Sequence, residues 1–350
     1  MNLYHLKHVP WLDSQLIYHA QPRVDLEAIN ILAPREPYVC IGYHQDLDQE
    51  VDAAYCREHG IPIFRREVGG GAVYLDGDQV FYQIVLHRLS PLAQGDKATL
   101  YQRMLQPVAQ AYCDLGVPAR YRPINDIVTA EGRKISGTGA AEIGNYVVLV
   151  GNLIADFDYE TMSRVLHVPD EKYRDKVFKS MRENLTTLQR ETGRLFSWDE
   201  MVTPLIQRFE EVLGPLEAAP LPRAVRDQVE VLKPQFLSEE WLHTKRRVRP
   251  ERAMRIASGV NVIQRVHKAP GGLLRATVEL KENRLESVSL SGDLFCYPQD
   301  AIGVLESMLE GAFTSEIADV VARFYAAGNV ETPGVSPEDW YKVLDACKMT

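Results

Sequence analysis

Hydrophobic and polar positions change their pattern along the chain. Up to about residue 215, short β-rich runs alternate with helical stretches, as in PYVCIGY (37–43), VDAAYCREHG (51–60) and IPIFRRE (61–67). This alternation predicts a mixed α/β sheet domain. Residues 97–116 carry apolar side chains at helical spacing and end in a glycine, which predicts a helix. Residues 146–158 are apolar at nearly every position, which predicts a strand buried on both faces near the centre of the sheet.

A different pattern follows a proline-rich stretch. Residues 214–234 hold four prolines and are typical of an inter-domain connection with one short helix. After about residue 255, three strand-like runs are joined by the turn sequences APGG and KENR, and helical patterns follow at 299–310 and 315–326. We therefore predict an α/β (α+β) protein with two domains. A large mixed-sheet domain, connection included, spans 1–245, and a smaller α+β domain spans 250–350.

Composition narrows the class of protein. A chain of 350 residues that is 45% hydrophobic can bury a large core. No apolar run approaches the roughly 20 residues that cross a bilayer, and the N-terminus lacks a secretory h-region, so we expect a cytoplasmic protein with no membrane contact. The formal net charge of −9 disfavours nucleic acid as a partner. Five widely spaced cysteines without a CxxC pair favour small core residues over a zinc site or disulfide framework.

The stretch RREVGGGAVYLDG (65–77) is the first candidate for chemistry. Three adjacent glycines, Gly69, Gly70 and Gly71, leave backbone N–H groups uncovered by any Cβ, so that a phosphate or carboxylate can approach the main chain. Arg65 and Arg66 would add positive charge and forked donors. A flexible turn with solvated arginines explains the stretch equally well. The chain has no Gly-Lys dipeptide, which excludes a P-loop, and GTGAAE (137–142) puts Glu142 where a dinucleotide fingerprint needs a glycine.

A second stretch, NDIVTAEGRKISGTGAAE (125–142), supports the anion-site interpretation. Lys134 lies in a predicted strand and is followed by small residues from Ser136 to Gly139. The small side chains leave space around the ammonium group, which indicates that a ligand packs there. A lone lysine in a hairpin is usually solvated, but this one accompanies the arginine and glycine stretch.

Together these two stretches resemble the lipoate-protein ligase family, within the wider group of biotin and lipoyl ligases and octanoyl transferases. The resemblance covers residues 1 to about 190. The first family motif consists of an arginine pair, three glycines, Ala-Val, an aromatic residue and His-Asp. It corresponds here to Arg65, Arg66, Gly69, Gly70, Gly71, Ala72, Val73, Tyr74 and Asp76. Its Asn-Asp and Gly-Arg-Lys-Ile-Ser-Gly-Thr motif corresponds to Asn125, Asp126, Gly132, Arg133, Lys134, Ile135, Ser136, Gly137 and Thr138. Its His-Gly-Thr strand motif is met in part by Gly151 and Asn152, and residues 271–295 are similar to the family's accessory domain.

This resemblance implies a fold of the biotin/lipoyl-ligase type and a two-step reaction. Lipoate would attack the α-phosphate of ATP to give lipoyl-AMP, and a lysine of a lipoyl carrier domain would then accept the lipoyl group. Lys134 would be the catalytic residue, offsetting the repulsion between carboxylate and triphosphate. The other motif residues would bind the nucleotide and the acyl adenylate, with Asp76 and Asp126 as candidate Mg²⁺ or ribose ligands. Val147 and Leu149 are candidates for the wall of an acyl slot, although a place in the general core is the favoured explanation.

Several departures and alternatives stay open. Leu75 stands where the family has histidine, and Val150 where it has the histidine of His-Gly-Thr. A transferase that relays the acyl group through cysteine would share the fold, but no cysteine falls in either motif. Biotin ligation and non-enzymatic binding of lipoylated proteins are further alternatives. The basic run KRRVRPER (245–252), continued by Arg255, is either a solvated linker or a surface that steers an acidic carrier domain.

Overall fold

The computed structural model describes residues 1–168, 171–245, 260–328 and 330–345. Its strands alternate with helices over the first two thirds of the chain, as the sequence predicts. The strands are β1 (Asn2–Val9), β2 (Ala28–Pro34), β3 (Tyr38–Ile41), β4 (Ile63–Arg65), β5 (Val73–Leu75), β6 (Gln79–His87), β7 (Ala119–Arg122), β8 (Asp126–Thr129), β9 (Lys134–Ile143), β10 (Tyr146–Ile154), β11 (Glu217–Ala218), β12 (Val260–Ala269), β13 (Gly272–Lys281) and β14 (Arg284–Gly292).

The helices pack on both sides of these strands. In the part of the chain that the structure describes, the α-helices are α1 (Trp11–Ala20), α2 (Leu47–Glu50), α3 (Ala53–Glu58), α4 (Lys97–Asp114), α5 (Tyr159–Val165), α6 (Arg174–Asn184), α7 (Leu188–Thr192), α8 (Trp198–Leu213), α9 (Arg223–Phe236), α10 (Glu239–Leu242), α11 (Ala301–Leu309), α12 (Ile317–Ala326) and α13 (Pro337–Leu344). Short 3₁₀ turns lie at Gln21–Val24, Pro91–Ala93, Glu171–Tyr173 and Thr314–Glu316.

Eight strands form the main sheet, in the order β11-β1-β2-β6-β10-β9-β8-β7. The β1 strand runs parallel to β2 and β11, and the other neighbours are antiparallel. Strand β10 lies between β6 and β9, which confirms the prediction of an interior strand for this apolar run. The β9 and β10 strands, which carry Lys134 and the Gly151-Asn152 pair, are therefore neighbours in one sheet.

A smaller sheet of β4, β3 and β5 carries the glycine motif. Strand β4 ends at Arg65, and residues 66–72 form the connection to β5. Since β3 pairs with both β4 and β5, the two ends of this connection are held on either side of one strand.

The helix predicted at 97–116 is confirmed as α4. Its N-terminus is capped by Asp96, whose carboxylate accepts a hydrogen bond from the Thr99 N–H. Gly116 lies just beyond its end with φ +89°, a left-handed conformation that costs glycine nothing. The helix buries Leu105, Val108 and other apolar residues in the core beneath the main sheet.

The stretch at 214–234, predicted as a connection with one short helix, packs against the large domain. Strand β11 pairs with β1, and α9 is a full 14-residue helix. Its Val225, Val229 and Phe236 pack in one buried cluster with Leu16 of α1. The prolines misled the prediction because Pro215, Pro220 and Pro222 precede the helix, and Pro234 lies in its last turn, where it can end the helix but does not interrupt the earlier turns.

The C-terminal residues form a separate layer with its own core. Strands β12, β13 and β14 make an antiparallel meander, and the tight turn between β13 and β14 places Glu282 and Asn283 at positive φ. Helices α11, α12 and α13 cover the meander around Leu290 and Trp340. The α/β class with a large mixed sheet and a smaller α+β domain is thus confirmed. The boundaries at 245 and 250 stay a prediction, and residues 246–259 of the basic run lie outside the described residues.

Other predictions concern membranes and cysteines. No helix among the described residues is long and apolar enough to cross a membrane. Three of the four described cysteines, Cys40, Cys56 and Cys296, are buried, as predicted for core residues. The fourth, Cys113, is exposed, contrary to that prediction.

Candidate active site

Most of the residues that the sequence singles out surround one cavity of about 480 Å³. The cavity lies between the main sheet, the glycine connection and helix α6. The predicted residues that line it are Arg66, Gly69, Gly70, Gly71, Ala72, Val73, Tyr74, Asn125, Lys134, Gly137, Thr138, Gly151 and Asn152. Six residues of the motifs do not line it: Arg65, Asp76, Asp126, Arg133, Ile135 and Ser136.

Lys134 stands at the start of β9 with its side chain 38% exposed. Its Nζ lies 2.6 Å from Oδ1 of Asp126, and Arg122 donates to the other oxygen of that carboxylate at 2.8 Å. Burial would raise the pKa of Asp126, but the Lys134 and Arg122 cations outweigh it and hold that pKa below its usual value. Asp126 is therefore ionised and holds the ammonium group at the cavity wall.

Gly137 provides the space that the lysine occupies. A Cβ added there would lie 2.9 Å from both Cε and Nζ of Lys134, closer than carbon contacts allow. A side chain at position 137 would therefore displace the end of the Lys134 side chain from its place beside Asp126.

The glycine connection is held from inside by Arg66, which is 7% exposed. Its Nη2 donates to the carbonyl oxygens of Gly69 and Gly71, each at 2.9 Å, and its Nη1 donates to Cys40 O at 3.2 Å. The guanidinium thus fixes the path of the loop with two carbonyls turned toward it. Gly70 adopts φ +95°, which favours glycine.

Arg65 points away from the cavity and is fully buried. Its guanidinium donates to the carbonyls of Gly42, Tyr43, Gln45 and Leu242 at 2.7–3.2 Å. Burial lowers its pKa to about 10. The structure therefore places Arg65 as a clamp between the turn after β3 and the end of α10, and does not bring it together with the other predicted site residues.

Hydrogen bonds order the wall formed by β8, β9 and β10. The Asn125 side chain donates to Thr138 O at 2.7 Å, and the Thr138 hydroxyl lies 2.6 Å from the Tyr82 hydroxyl. Ser136 turns its hydroxyl to Asn152 O at 2.6 Å. A Cβ at Gly151 would lie 2.2 Å from the Tyr82 hydroxyl oxygen, which explains the glycine at this position.

Asp76 belongs to the turn before β6. Its Oδ1 accepts hydrogen bonds from the Asp78 N–H and from Gln79 Nε2. Burial raises its pKa to about 6. Its partners are those of a turn aspartate.

The residues that line the cavity are cationic and apolar. The charged groups among them are Arg66, Arg122 and Lys134, and none of the described lining residues is aspartate or glutamate. Apolar walls come from Leu75, Phe81, Val150, Ile154, Phe157 and Met162. The cavity can therefore accept a molecule with an anionic end and an apolar end.

The sequence missed part of this lining. Val147 and Leu149 do not line the cavity but pack in the core, whereas Val150 and Ile154 of the same strand face it. Helix α6 contributes Met181, and Phe295 comes from the C-terminal domain. Side chains alternate between the two faces of β10, and Asn152 is a polar residue in the strand that shares its face with Val150 and Ile154. The position of Asn152 could therefore have assigned these two residues, rather than Val147 and Leu149, to the cavity.

A metal centre is not preformed here. No group of three or more His, Cys, Asp or Glu residues that could hold a metal ion occurs in the described ranges. Both oxygens of Asp126 are engaged by cations. Asp126 and its neighbours therefore do not fit a Mg²⁺ site built from protein side chains.

Comparison with known proteins places the chain in a family. The family model described as the lipoyl protein ligase A/B catalytic domain matches residues 12–210. Lipoate-protein ligase A subunit 1 of Thermoplasma acidophilum is 33% identical over 184 residues, covering 50% of this chain and 68% of the relative. Subunit 2 of that ligase is 46% identical over 77 residues, covering 22% of this chain and 81% of the relative. The octanoyltransferase LipM of Kyrpidia tusciae is 26% identical over 231 residues, covering 60% of this chain and 84% of the relative.

Solved structures agree with these relatives. A bipartite archaeal lipoate protein ligase from Thermoplasma acidophilum, studied with its E2 lipoyl domain, superposes with a TM-score of 0.61 at 27% identity, covering 69% of this chain and 95% of that chain. A lipoate-protein ligase A bound with ATP superposes with a TM-score of 0.59 at 25% identity, covering 69% of this chain and 98% of that chain. Since the family model spans more than half of the chain and the fold agrees, the chain belongs to the lipoate-protein ligase family.

Proposed function

We propose that this protein is an ATP-dependent lipoate-protein ligase, which activates lipoate as lipoyl-AMP and transfers the lipoyl group to a lysine of a carrier domain. The observation that carries the proposal is the cavity, where an ammonium and two guanidinium groups meet an apolar wall with no carboxylate among the described lining residues. Lipoate is an apolar chain that ends in a carboxylate, and ATP is an anion. The ATP-bound ligase structure supports the nucleotide as co-substrate.

Lys134 has the position that the first step requires. A carboxylate oxygen of lipoate attacks the α-phosphorus of ATP, the bond from phosphorus to the bridging oxygen breaks, and pyrophosphate leaves. Two anions must approach each other for this reaction. The Lys134 ammonium at the cavity wall would offset their repulsion and would then stabilise the negative charge that develops on the acyl oxygen in the second step.

In the second step, the amine nitrogen of the carrier lysine attacks the acyl carbon. The carbon–oxygen bond to AMP breaks, the amine loses a proton, and an amide remains. The carrier is proposed by analogy with the Thermoplasma ligase, which was studied with its E2 lipoyl domain. Asp126, which holds Lys134, would be a positioning residue, and Mg²⁺ enters the proposal only as the counter-ion that ATP carries on its own phosphates.

A cysteine relay is the second candidate, because an octanoyltransferase is among the relatives. In the described part of the chain, Cys40 is the cysteine that lines the cavity, and its Sγ lies 3.5 Å from Arg66 Nη1. Burial raises the pKa of this thiol, although Arg66 opposes the shift. A protonated, buried thiol is a poor nucleophile, which favours the ligase over the relay.

Subunit 2 of the Thermoplasma ligase supports a two-domain division of this chain. In Thermoplasma acidophilum, subunits 1 and 2 are separate proteins, and both match parts of this single chain. We propose that residues 1–245 form the lipoyl-adenylating domain and 250–350 the accessory domain of one ligase.

The test is release of pyrophosphate from ATP and lipoate without carrier, followed by mass spectrometry of a lipoyl domain after its addition. We expect the wild type to release pyrophosphate and to add one lipoyl group. Lys134→Ala should slow adenylation about a hundredfold, the loss that follows removal of one donor from an oxyanion site. Lys342→Ala is the matched control, since Lys342 is half exposed and pairs only with Glu338 on α13 among the described residues.

Two results would contradict the proposal. Lys134→Ala activity within threefold of the wild type would remove the role assigned to the ammonium group. Acyl transfer from an octanoylated carrier without ATP, abolished by Cys40→Ser, would establish the relay instead.

A further inference from the structure

The C-terminal domain reaches into the glycine connection through the segment that follows β14. The Gly70 N–H donates to Leu294 O at 3.1 Å. A Cβ added at Gly69 would lie 2.6 Å from Leu294 O and 2.9 Å from Cδ1 of Phe295. The glycines at 69 and 70 thus permit contact between the loop and the C-terminal domain, and Phe295 itself lines the cavity.

The Phe295 contact is part of the large domain's core. Phe295 is 3% exposed and packs in the same buried cluster as Tyr101 of α4, with ring centroids 5.9 Å apart. Two residues further along, Tyr297 is also 3% exposed, and its hydroxyl lies 3.2 Å from the Tyr101 hydroxyl. Separation of the domains would expose the rings of Phe295 and Tyr297 to water. Burial of these rings therefore stabilises the contact between the two domains.

Backbone hydrogen bonds hold the start of the segment to both domains. The Asp293 N–H donates to Leu273 O of β13 at 2.9 Å, and the Gly292 N–H donates to His44 O of the large domain at 2.9 Å. A Cβ at Gly272 would lie 1.5 Å from Asp293 O, and one at Gly292 would lie 1.9 Å from Leu273 O. Backbone packed this closely has little freedom, so the position of the Phe295 ring relative to β13 is fixed.

We propose that Phe295 is a positioning residue of the nucleotide site, which holds the loop of Gly69–Gly71 in the shape that accepts ATP, so that the C-terminal domain sets the affinity for nucleotide. The inference rests on the proposed ligase function. Arg66 supports the loop from the large domain, and Phe295 supports it from the C-terminal domain. Removal of the ring would leave the backbone contact of Leu294 O with Gly70 but would take away the side chain that packs against Gly69 and Gly70 from the C-terminal domain.

The experiment measures direct binding of a non-hydrolysable ATP analogue by calorimetry, with the full chain, before any activity is measured. For Phe295→Ala we expect the Kd for the analogue to rise at least tenfold, while the KM for lipoate stays within threefold of the wild type. Phe295→Leu, which keeps most of the apolar volume, should recover most of the affinity. Phe313→Ala is the matched control, because Phe313 belongs to the same domain but is 44% exposed and lies against Arg284.

The outcomes separate this inference from the proposed function. A wild type that binds no analogue and forms no lipoyl-AMP would overturn the ligase proposal itself. A wild type that binds, with Phe295→Ala within twofold of it, would overturn only the role of Phe295. Tighter binding by Phe295→Ala would also overturn it, since the segment would then obstruct the site. A urea unfolding curve for each variant shows whether a loss of affinity reflects unfolding, and Phe295→Leu provides a folded comparison if Phe295→Ala is unstable.

Discussion

Lowering the pH from 7.5 to 5 should destabilise the folded protein by about 2 kcal/mol through His19 alone. His19 lies on α1, behind the glycine connection, and is 0% exposed. Its Nδ1 lies 2.7 Å from Gln15 O and therefore carries the proton, while its Nε2 accepts a hydrogen bond from the Glu67 N–H at 3.1 Å. Both ring nitrogens are satisfied only when the imidazole is neutral.

The magnitude follows from the pKa. Burial lowers the pKa of His19 from 6.5 to about 4, with Glu67 opposing the shift and Arg23 and Arg66 adding to it. The unfolded chain therefore takes up a proton below pH 6.5, whereas the folded protein does so only near pH 4. Stability is complete above pH 6.5 and is lost as the pH falls toward 4, by about 3 kcal/mol in all.

Urea unfolding at pH 7.5 and pH 5 measures this loss. His19→Gln lacks the titrating group, so its free energy of unfolding should fall by about 2 kcal/mol less than that of the wild type between the two pH values. His59→Gln, a substitution at an exposed histidine, should follow the wild type. Because His44 is also buried with a lowered pKa, only the difference between wild type and His19→Gln isolates His19. Equal losses in the two proteins would refute the reasoning.

Two further predictions concern charged residues that were predicted for the site but do not line the cavity. Arg65→Met should lower the free energy of unfolding measured in urea by at least about 3 kcal/mol, because it removes the guanidinium donor from four buried carbonyl oxygens, of which Gly42 O keeps the Gln45 N–H as a second donor. A loss below about 1 kcal/mol would contradict its role as a clamp. Asp76→Asn should stabilise the protein by about 3 kcal/mol at pH 7.5, because the raised pKa means that stability falls as the pH rises from about 4 to 6. That gain should fall below about 1 kcal/mol at pH 4, and a gain that is the same at both pH values would refute the charge argument.

Local sequence signals were sufficient for elements whose ends are defined by neighbouring residues. Helix α4 has its cap at Asp96 and its terminating glycine at Gly116, both visible in the sequence. For α9 the sequence predicted only a short helix within a connection. Its apolar residues, such as Val225 and Val229, do recur at helical spacing, but their partners on α1 lie some 200 residues earlier in the chain, so the packing that stabilises the full helix is not visible locally.

Prediction of the functional site was limited in a similar way. The sequence motifs identified most residues around the cavity, but they did not show in which direction each side chain points. Arg65 and Arg66 are adjacent at the end of β4, so their side chains point to opposite sides. Arg65 clamps the turn after β3 to the end of α10, and Arg66 supports the glycine loop. Both side chains carry the same charge, and the two adjacent letters in the sequence do not show which of them faces the cavity.

The three glycines were expected to leave room for a ligand, and the structure shows that the protein itself fills part of that room. A Cβ at Gly42 would lie 1.9 Å from Gly70 O, Leu294 O approaches Gly69, and the Asp293 carboxylate lies 3.1 Å from a Cβ position at Gly71. The loop is therefore the place where β3, the C-terminal domain and the cavity meet. A larger residue at any of the three glycines would disturb the contact between domains and the shape of the cavity together, so that cavity shape and domain association cannot vary independently at this point of the fold.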